Sequence, residues 1–238
     1  MDLLPLLAAP FAGSFLGVLI RRLPLGRPWM MVRSACDGCG ALLQARDLVP
    51  LASYAALRGR CRQCGQAIGR FHPAVELASV AIAAWAAWAD PDRVWQNCML
   101  GWGLLALAWI DLEHMRLPDA LTLPLIPAGL AAAWWVDPAL AGDHALAAAS
   151  GYLLFRAVAW TYRRVRGREG LGQGDAKLLA AAGAWVGIEA LPHVLLGAGL
   201  LGLGFAALRW RQAAHGAPVP LGPALALALW IVRLHGGG

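Results

Sequence analysis

The sequence predicts an all-α polytopic membrane protein of about eight transmembrane helices, with one long polar loop between the first and the second. Three observations carry this reading. Of 238 residues, 59% are hydrophobic and only 14% charged, outside the range of ordinary soluble domains. The apolar residues form runs long enough to cross a hydrocarbon core of roughly 30 Å, a task for about 20 helical residues. The basic residues gather on alternate connections, as the positive-inside rule requires of a multi-spanning chain.

The runs are residues 4–20, 73–89, 94–110, 120–136, 144–162, 176–188, 193–208 and 221–234, the sixth being short. The first is not expected to be a secretory signal, because Met1-Asp2 supplies no basic start and Arg21 and Arg22 follow the run. Nine arginines lie between Arg21 and Arg70, and Arg116 follows the third run. Arg156, Arg163, Arg164, Arg166, Arg168 and Lys177 surround the fifth connection, and Arg209 and Arg211 follow the seventh run. Only Arg93 and Arg233 fall on the other side, so 18 of the 20 basic residues are expected in the cytoplasm and both termini outside. This topology accounts for the net charge of +6, so the expected partner is the lipid bilayer and not nucleic acid.

Three segments follow: a first transmembrane helix at 1–20, a cytoplasmic cysteine-rich loop domain at 21–72, and a membrane-embedded domain at 73–238. Loops as long as the second are usually functional or separately folded. It contains Cys36-Asp-Gly-Cys39 and Cys61-Arg-Gln-Cys64, each followed by a glycine, Gly40 and Gly65. Two Cys-x-x-Cys pairs at this separation match a four-thiolate zinc site, in which each glycine permits a tight turn around the metal. Disulfides compete with this reading but are disfavoured in a reducing cytoplasm. A redox dithiol or unmetallated thiols remain as alternatives. Cys98, in the third run, is expected to serve packing.

Ionisable residues at membrane depth are costly and therefore functional candidates. Two clusters qualify: the block from Trp109 to Asp119, and Gly172-Gln173-Gly174-Asp175-Ala176-Lys177. The arginine-based topology places Asp111 and Asp175 on the same face at similar depth. A carboxyl pair can hydrolyse a peptide when one group takes a proton from water and the other, protonated, polarises the carbonyl. Gly172 and Gly174 would let a substrate backbone approach and permit unusual dihedrals beside the acid. The plainer alternative is that Asp111 ends one helix and Asp175 caps the next. Asp119, after Pro118, is expected to be a helix N-cap, and Glu113 and His114 interfacial side chains. Lys177 either lowers the charge cost of the carboxyl pair or snorkels to headgroups.

Taken together these residues resemble the bacterial type IV prepilin peptidases, membrane aspartyl proteases of the GxGD type. The likeness runs from Gly13-Ser14-Phe15-Leu16 and Arg22-Leu23-Pro24 through the cysteine pairs, Pro73-Ala74-Val75-Glu76-Leu77 and both aspartate blocks. It ends at Pro220-Leu221-Gly222-Pro223-Ala224-Leu225-Ala226-Leu227. The resemblance implies an inner-membrane enzyme with Asp111 and Asp175 as its catalytic aspartates. Such an enzyme cuts the leader from type IV prepilins or type II secretion pseudopilins at the cytoplasmic face. It also implies N-methylation of the new terminus with S-adenosylmethionine, an activity associated with the cysteine loop. Gly17 departs from the asparagine frequent in the family. Glu76 is expected either to orient a substrate amine or, preferably, to pair with a loop arginine.

An ion-coupled transporter using the two aspartates is the competing function. The absence of an internal repeat and the boundary position of both acids stand against it. Presenilin-like proteases share Gly-x-Gly-Asp but lack the paired cysteine loop.

Overall fold

A computed structural model of the chain describes residues 3–30, 32–168, 170–210 and 220–236. Met1, Asp2 and Arg211, used in the topology argument, lie outside the described residues. The helices are α1 (Leu4–Arg22), α2 (Ala52–Ala56), α3 (Phe71–Ala89), α4 (Val94–His114), α5 (Asp119–Val136), α6 (Leu140–Arg166), α7 (Gln173–Trp210) and α8 (Gly222–His235). Among the described residues the only extended pairing is two isolated bridges, Ala35 with Leu42 and Arg60 with Ala67. The chain forms two compact units, Met1–Ala106 and Leu107–Gly238, with the boundary inside α4.

Leu4–Leu25, Asp119–Val136 and Gln173–Leu208 are long and apolar enough to cross a membrane. Their outer surfaces agree with that environment. Leu4, Leu7, Phe11 and Phe15 on α1, and Leu196, Leu200 and Leu203 on α7, are exposed at helical spacing, forming apolar stripes that suit lipid. Helices α3, α4 and α6 have 19, 21 and 27 residues. They are long enough to span, but alanine, tryptophan and polar residues dilute their hydropathy.

The sequence separates runs 176–188 and 193–208 by a short connection, and the structure likewise holds two helices there, joined at a kink within α7. Helix α7 continues through Glu189 and Pro192, and its one interruption is at Gly187, with φ 75° and ψ 179°. That conformation is closed to side chains bearing a Cβ at little cost, which is why glycine sits there. A break frees backbone groups that must be satisfied. The first turn of α6 does so: Ile188 N–H donates to Asp143 Oδ2 at 3.0 Å, and His144 Nδ1 lies 2.9 Å from the Ala184 carbonyl oxygen.

In the first unit α1 packs on α3 through Gly13, where a Cβ would stand 2.6 Å from the Glu76 Cα. Trp102 on α4 donates its indole N–H to the Ser79 carbonyl of α3 at 3.1 Å. Asn97, also on α4, donates to Asp90 at 3.0 Å. Cys98 is fully buried among these helices, as expected of a packing residue.

In the second unit small residues let backbones meet, the usual solution for helices that gain nothing from hiding apolar surface from lipid. At Gly129 of α5 a Cβ would lie 2.7 Å from the Trp185 ring and 2.8 Å from the Ala184 carbonyl. Trp185 also donates to the Leu125 carbonyl at 2.8 Å, tying α7 to α5. Replacing Gly129 by valine forces these helices apart. The expected loss is about 1–3 kcal/mol, typical of overpacking, read as a lower thermal unfolding midpoint in detergent beside an unchanged Gly199→Ala control.

Candidate active site and metal centre

Within the second unit, α4 ends at the first acidic cluster. Asp111 is 5% exposed, and its Oδ2 accepts the Gly222 N–H at 2.9 Å. That N–H belongs to the start of α8, where helical donors lack partners, so the carboxylate satisfies a backbone group from 111 positions away. A Cβ at residue 222 would stand 2.6 Å from Asp111 Oδ2, so the close approach requires glycine. The sequence pattern contains Gly222 in a family-like segment but does not identify it as the partner of Asp111. Its only local signal is a glycine preceding Pro223 at a helix start.

The chain leaves α4 through Met115, a non-glycine residue at φ 53°, whose N–H returns to the Asp111 carbonyl at 2.9 Å. Asp175 sits in the first turn of α7, and its Oδ2 accepts the Gly172 N–H at 3.2 Å. The two carboxyl groups lie within electrostatic reach of each other.

The neighbouring residues differ in part from expectation. Neither Gly172 nor Gly174 has a positive φ, so unusual dihedrals are not their purpose. The constraint is steric: a Cβ at 172 would lie 3.0 Å from Asp175 Oδ2, and one at 174 would lie 2.7 Å from the Leu117 Cβ. Asp119 is not the N-cap of α5, a position held by Pro118 without a side-chain bond. Its carboxylate instead pairs with Lys177 Nζ at 2.5 Å. Lys177 thus neither snorkels outward nor contacts the carboxyl pair; it links α7 to the start of α5. Glu113 accepts the Trp109 indole N–H at 3.0 Å and lies 3.9 Å from His114, consistent with interfacial roles.

In the first unit the four loop cysteines converge: the sulfurs of Cys36, Cys39, Cys61 and Cys64 all lie within 4.8 Å of one another. Four sulfurs around a tetrahedral zinc with bonds of about 2.3 Å stand about 3.8 Å apart. Cys36 and Cys64, at 3.9 Å, already match this spacing. The two halves are built alike. Cys36 N–H bonds the Ala41 carbonyl and Gly40 N–H the Cys36 carbonyl, both at 2.9 Å; Cys61 with Gln66, and Gly65 with Cys61, repeat the pattern. Gly40 and Gly65 hold φ values of 70° and 71°, the left-handed turn each half needs. The Cys64 and Gln63 N–H groups point at the Cys61 sulfur and bring its thiol down to about 7, which favours the metal-binding thiolate. Gln66 N–H does the same at Cys64, but burial and the three neighbouring thiols outweigh it and push Cys64 up to about 11. All described cysteines are free of disulfides. The donor set fits a single metal ion.

Glu76 pairs with the loop, though with its backbone and not with an arginine. Buried in α3, it accepts the Leu51 N–H at 2.8 Å and a hydrogen bond from Ser14. Leu51 has φ 58°, an outlier for a side chain of its size, and immediately precedes α2.

Comparison with known proteins divides the chain near the start of α4. Residues 7–89 match the bacterial peptidase A24 N-terminal domain, and residues 98–207 match the type IV leader peptidase family. The prepilin leader peptidase/N-methyltransferase of Pseudomonas aeruginosa is 40% identical over 252 residues, covering 94% of this chain and 87% of that protein. The chain belongs to the type IV leader peptidase family. The Aeromonas hydrophila protein of the same name is 39% identical with the same coverage. That of Burkholderia pseudomallei strain 1026b is 41% identical, covering 90% of this chain and 79% of its own. No solved structure matches the chain. Nothing in these relatives supports the transporter alternative, which is set aside.

Glu76 is the tie between α3 and the loop. Glu76→Ala leaves the Leu51 N–H without its charged acceptor, at an expected cost of about 1.5–3 kcal/mol. Limited proteolysis should then cut within residues 21–72 faster than in the parent, while Glu76→Gln should fall between the two.

Proposed function

We propose that the chain is an inner-membrane aspartyl endopeptidase that removes the leader of type IV prepilins or pseudopilins and methylates the new N-terminus. The observation that carries the reading is the convergence of Asp111 and Asp175, 64 positions apart, each held by one backbone N–H through one carboxylate oxygen. That arrangement leaves the second oxygen of each group for chemistry. A pair holding one proton can have one carboxylate take a proton from water as its oxygen attacks the scissile carbonyl carbon. The protonated partner donates to the developing oxyanion. Collapse of the tetrahedral intermediate then breaks the C–N bond, and the amine leaves with a proton returned from the pair. Gly172, Gly174 and Lys177 support the site by fixing Asp175 and the start of α7.

The cytoplasmic orientation rests on the distribution of arginines, with residues 21–72 and 73–238 as loop and membrane peptidase domains. The names of the relatives support methyl transfer, with S-adenosylmethionine as the methyl donor. Zinc is the metal proposed for Cys36, Cys39, Cys61 and Cys64, since four thiolates in tetrahedral spacing are its preferred structural set. Bound there, it cross-links the two cysteine turns and contributes to loop folding.

Incubation of the full chain with a candidate prepilin and S-adenosylmethionine, followed by mass measurement, tests both activities together. The leader should be lost, and the product should gain the mass of one methylene. Asp111→Asn and Asp175→Asn should each lower cleavage by about 10²-fold to 10⁴-fold or more while insertion is unchanged. Normal cleavage by either variant overturns the pair.

Metal analysis provides a separate test. Protein expressed with sufficient zinc should carry about one equivalent, and Cys36→Ser with Cys64→Ser should carry far less. Removal by a chelator should expose residues 21–72 to protease.

A further inference from the structure

Helix α6 carries a feature that peptide cleavage does not use. Arg156, Ala159, Trp160 and Arg163 lie along one stripe of its last turns and, with Leu171 and Gln173, line a small solvent-open groove of about 50 Å³. Trp160 lies one turn from each of these arginines, four residues after Arg156 and three before Arg163, and a third arginine, Arg164, holds its guanidinium 5.4 Å from the Trp160 ring centroid. No lining residue is acidic. From residue 144 to residue 168 the chain has five arginines and no Asp or Glu.

Arg156 lies within the apolar run 144–162, six residues and so about 9 Å from its end. A cation at that depth is costly unless an anion meets it. Arg156 makes no ion pair among the described residues. On the same helix Leu153, Leu154, Val158 and Trp160 are exposed, a surface suited to acyl chains. Tyr152, Trp160 and Tyr162 are also exposed, in the manner of an interfacial aromatic belt.

We propose that this groove binds the phosphate of an anionic phospholipid headgroup, held by Arg156 and Arg163 with Gln173 as a further donor. Guanidinium groups suit phosphate because their paired N–H donors match its oxygens. The source is a lipid and not free phosphate, because Arg156 lies among membrane-facing side chains and is approached along an acyl chain. Gln173 is two residues from Asp175, so the headgroup would form part of the rim of the peptidase site. This places the inference on the proposed catalytic reading only for its position; the binding itself is independent of cleavage.

The test uses native mass spectrometry of the purified full chain mixed in detergent with equal amounts of phosphatidylglycerol and phosphatidylcholine. The parent protein should retain phosphatidylglycerol preferentially. Arg156→Gln and Arg163→Gln should each weaken that preference about fivefold, the share of one interfacial basic residue, and the double variant should abolish it. Arg156→Lys with Arg163→Lys should retain part of it, and helicity by circular dichroism should be unchanged throughout. Equal retention of both lipids by the parent overturns the proposal, as does an undiminished preference in the double variant. Displacement of the lipid by millimolar inorganic phosphate overturns the lipid assignment in favour of a soluble anion. Loss of cleavage in Asp111→Asn with lipid preference intact distinguishes failure of the catalytic reading from failure of this one.

Discussion

A carboxylate buried between helices must find a donor within the protein, and at Asp111 that donor is the backbone N–H of Gly222. The bond joins the end of α4 to the beginning of α8, so the last helix of the chain registers against the first acid of the site. The requirement runs in both directions. The helix start has an N–H with no helical partner, and the acid is a nearly buried acceptor that needs a donor. Glycine is the only residue that lets the two approach, because any Cβ at position 222 would contact the carboxylate. Around this contact the other parts of the second unit have less freedom. The α5–α7 pair is set by Gly129 and Trp185, and the start of α7 by the Lys177–Asp119 ion pair.

The same economy recurs elsewhere. Asp175 accepts the Gly172 N–H, Asp143 the Ile188 N–H, and Glu76 the Leu51 N–H. In each case an acidic side chain in a mainly apolar protein binds a backbone donor at a helix start or a loop turn. Such pairings offset part of the desolvation cost of the acid and anchor a segment that lacks a repeating hydrogen-bond pattern. The cysteine cluster answers the corresponding problem for the polar loop. There a few dozen residues with few buried apolar side chains are organised around two matching cysteine turns whose four sulfurs converge.

Features with a local period or a fixed spacing were legible in the sequence. Apolar runs revealed the helices, and the paired Cys-x-x-Cys-Gly segments the sulfur cluster. Pairings between a side chain and a distant backbone group have no such signature. Nothing near Gly222 announces Asp111, and nothing near Leu51 announces Glu76. The role of Gly187 was hidden for a different reason. Glu189 and Pro192 together look like a connection, whereas a single glycine in an alanine-rich run looks like helix. Proline was accommodated because its missing N–H and ring need only a small local adjustment in a membrane helix. Lys177 illustrates a further limit, since its proximity in sequence to Asp175 concealed a partner 58 positions away.

The interruption at Gly187 has a topological consequence. A continuous helix of the 38 residues in α7 would be a rod of about 57 Å, nearly twice a hydrocarbon core of roughly 30 Å. The break divides it into two helices, and the second lies along α8, where Gly197 approaches Ala228 and Gly202 approaches Leu221 and Ala224. The far end of α7 is thereby returned to the start of α8, the segment whose Gly222 N–H holds Asp111. A single glycine thus lets one stretch of chain supply Asp175 at its beginning and a support for the Asp111 contact at its end.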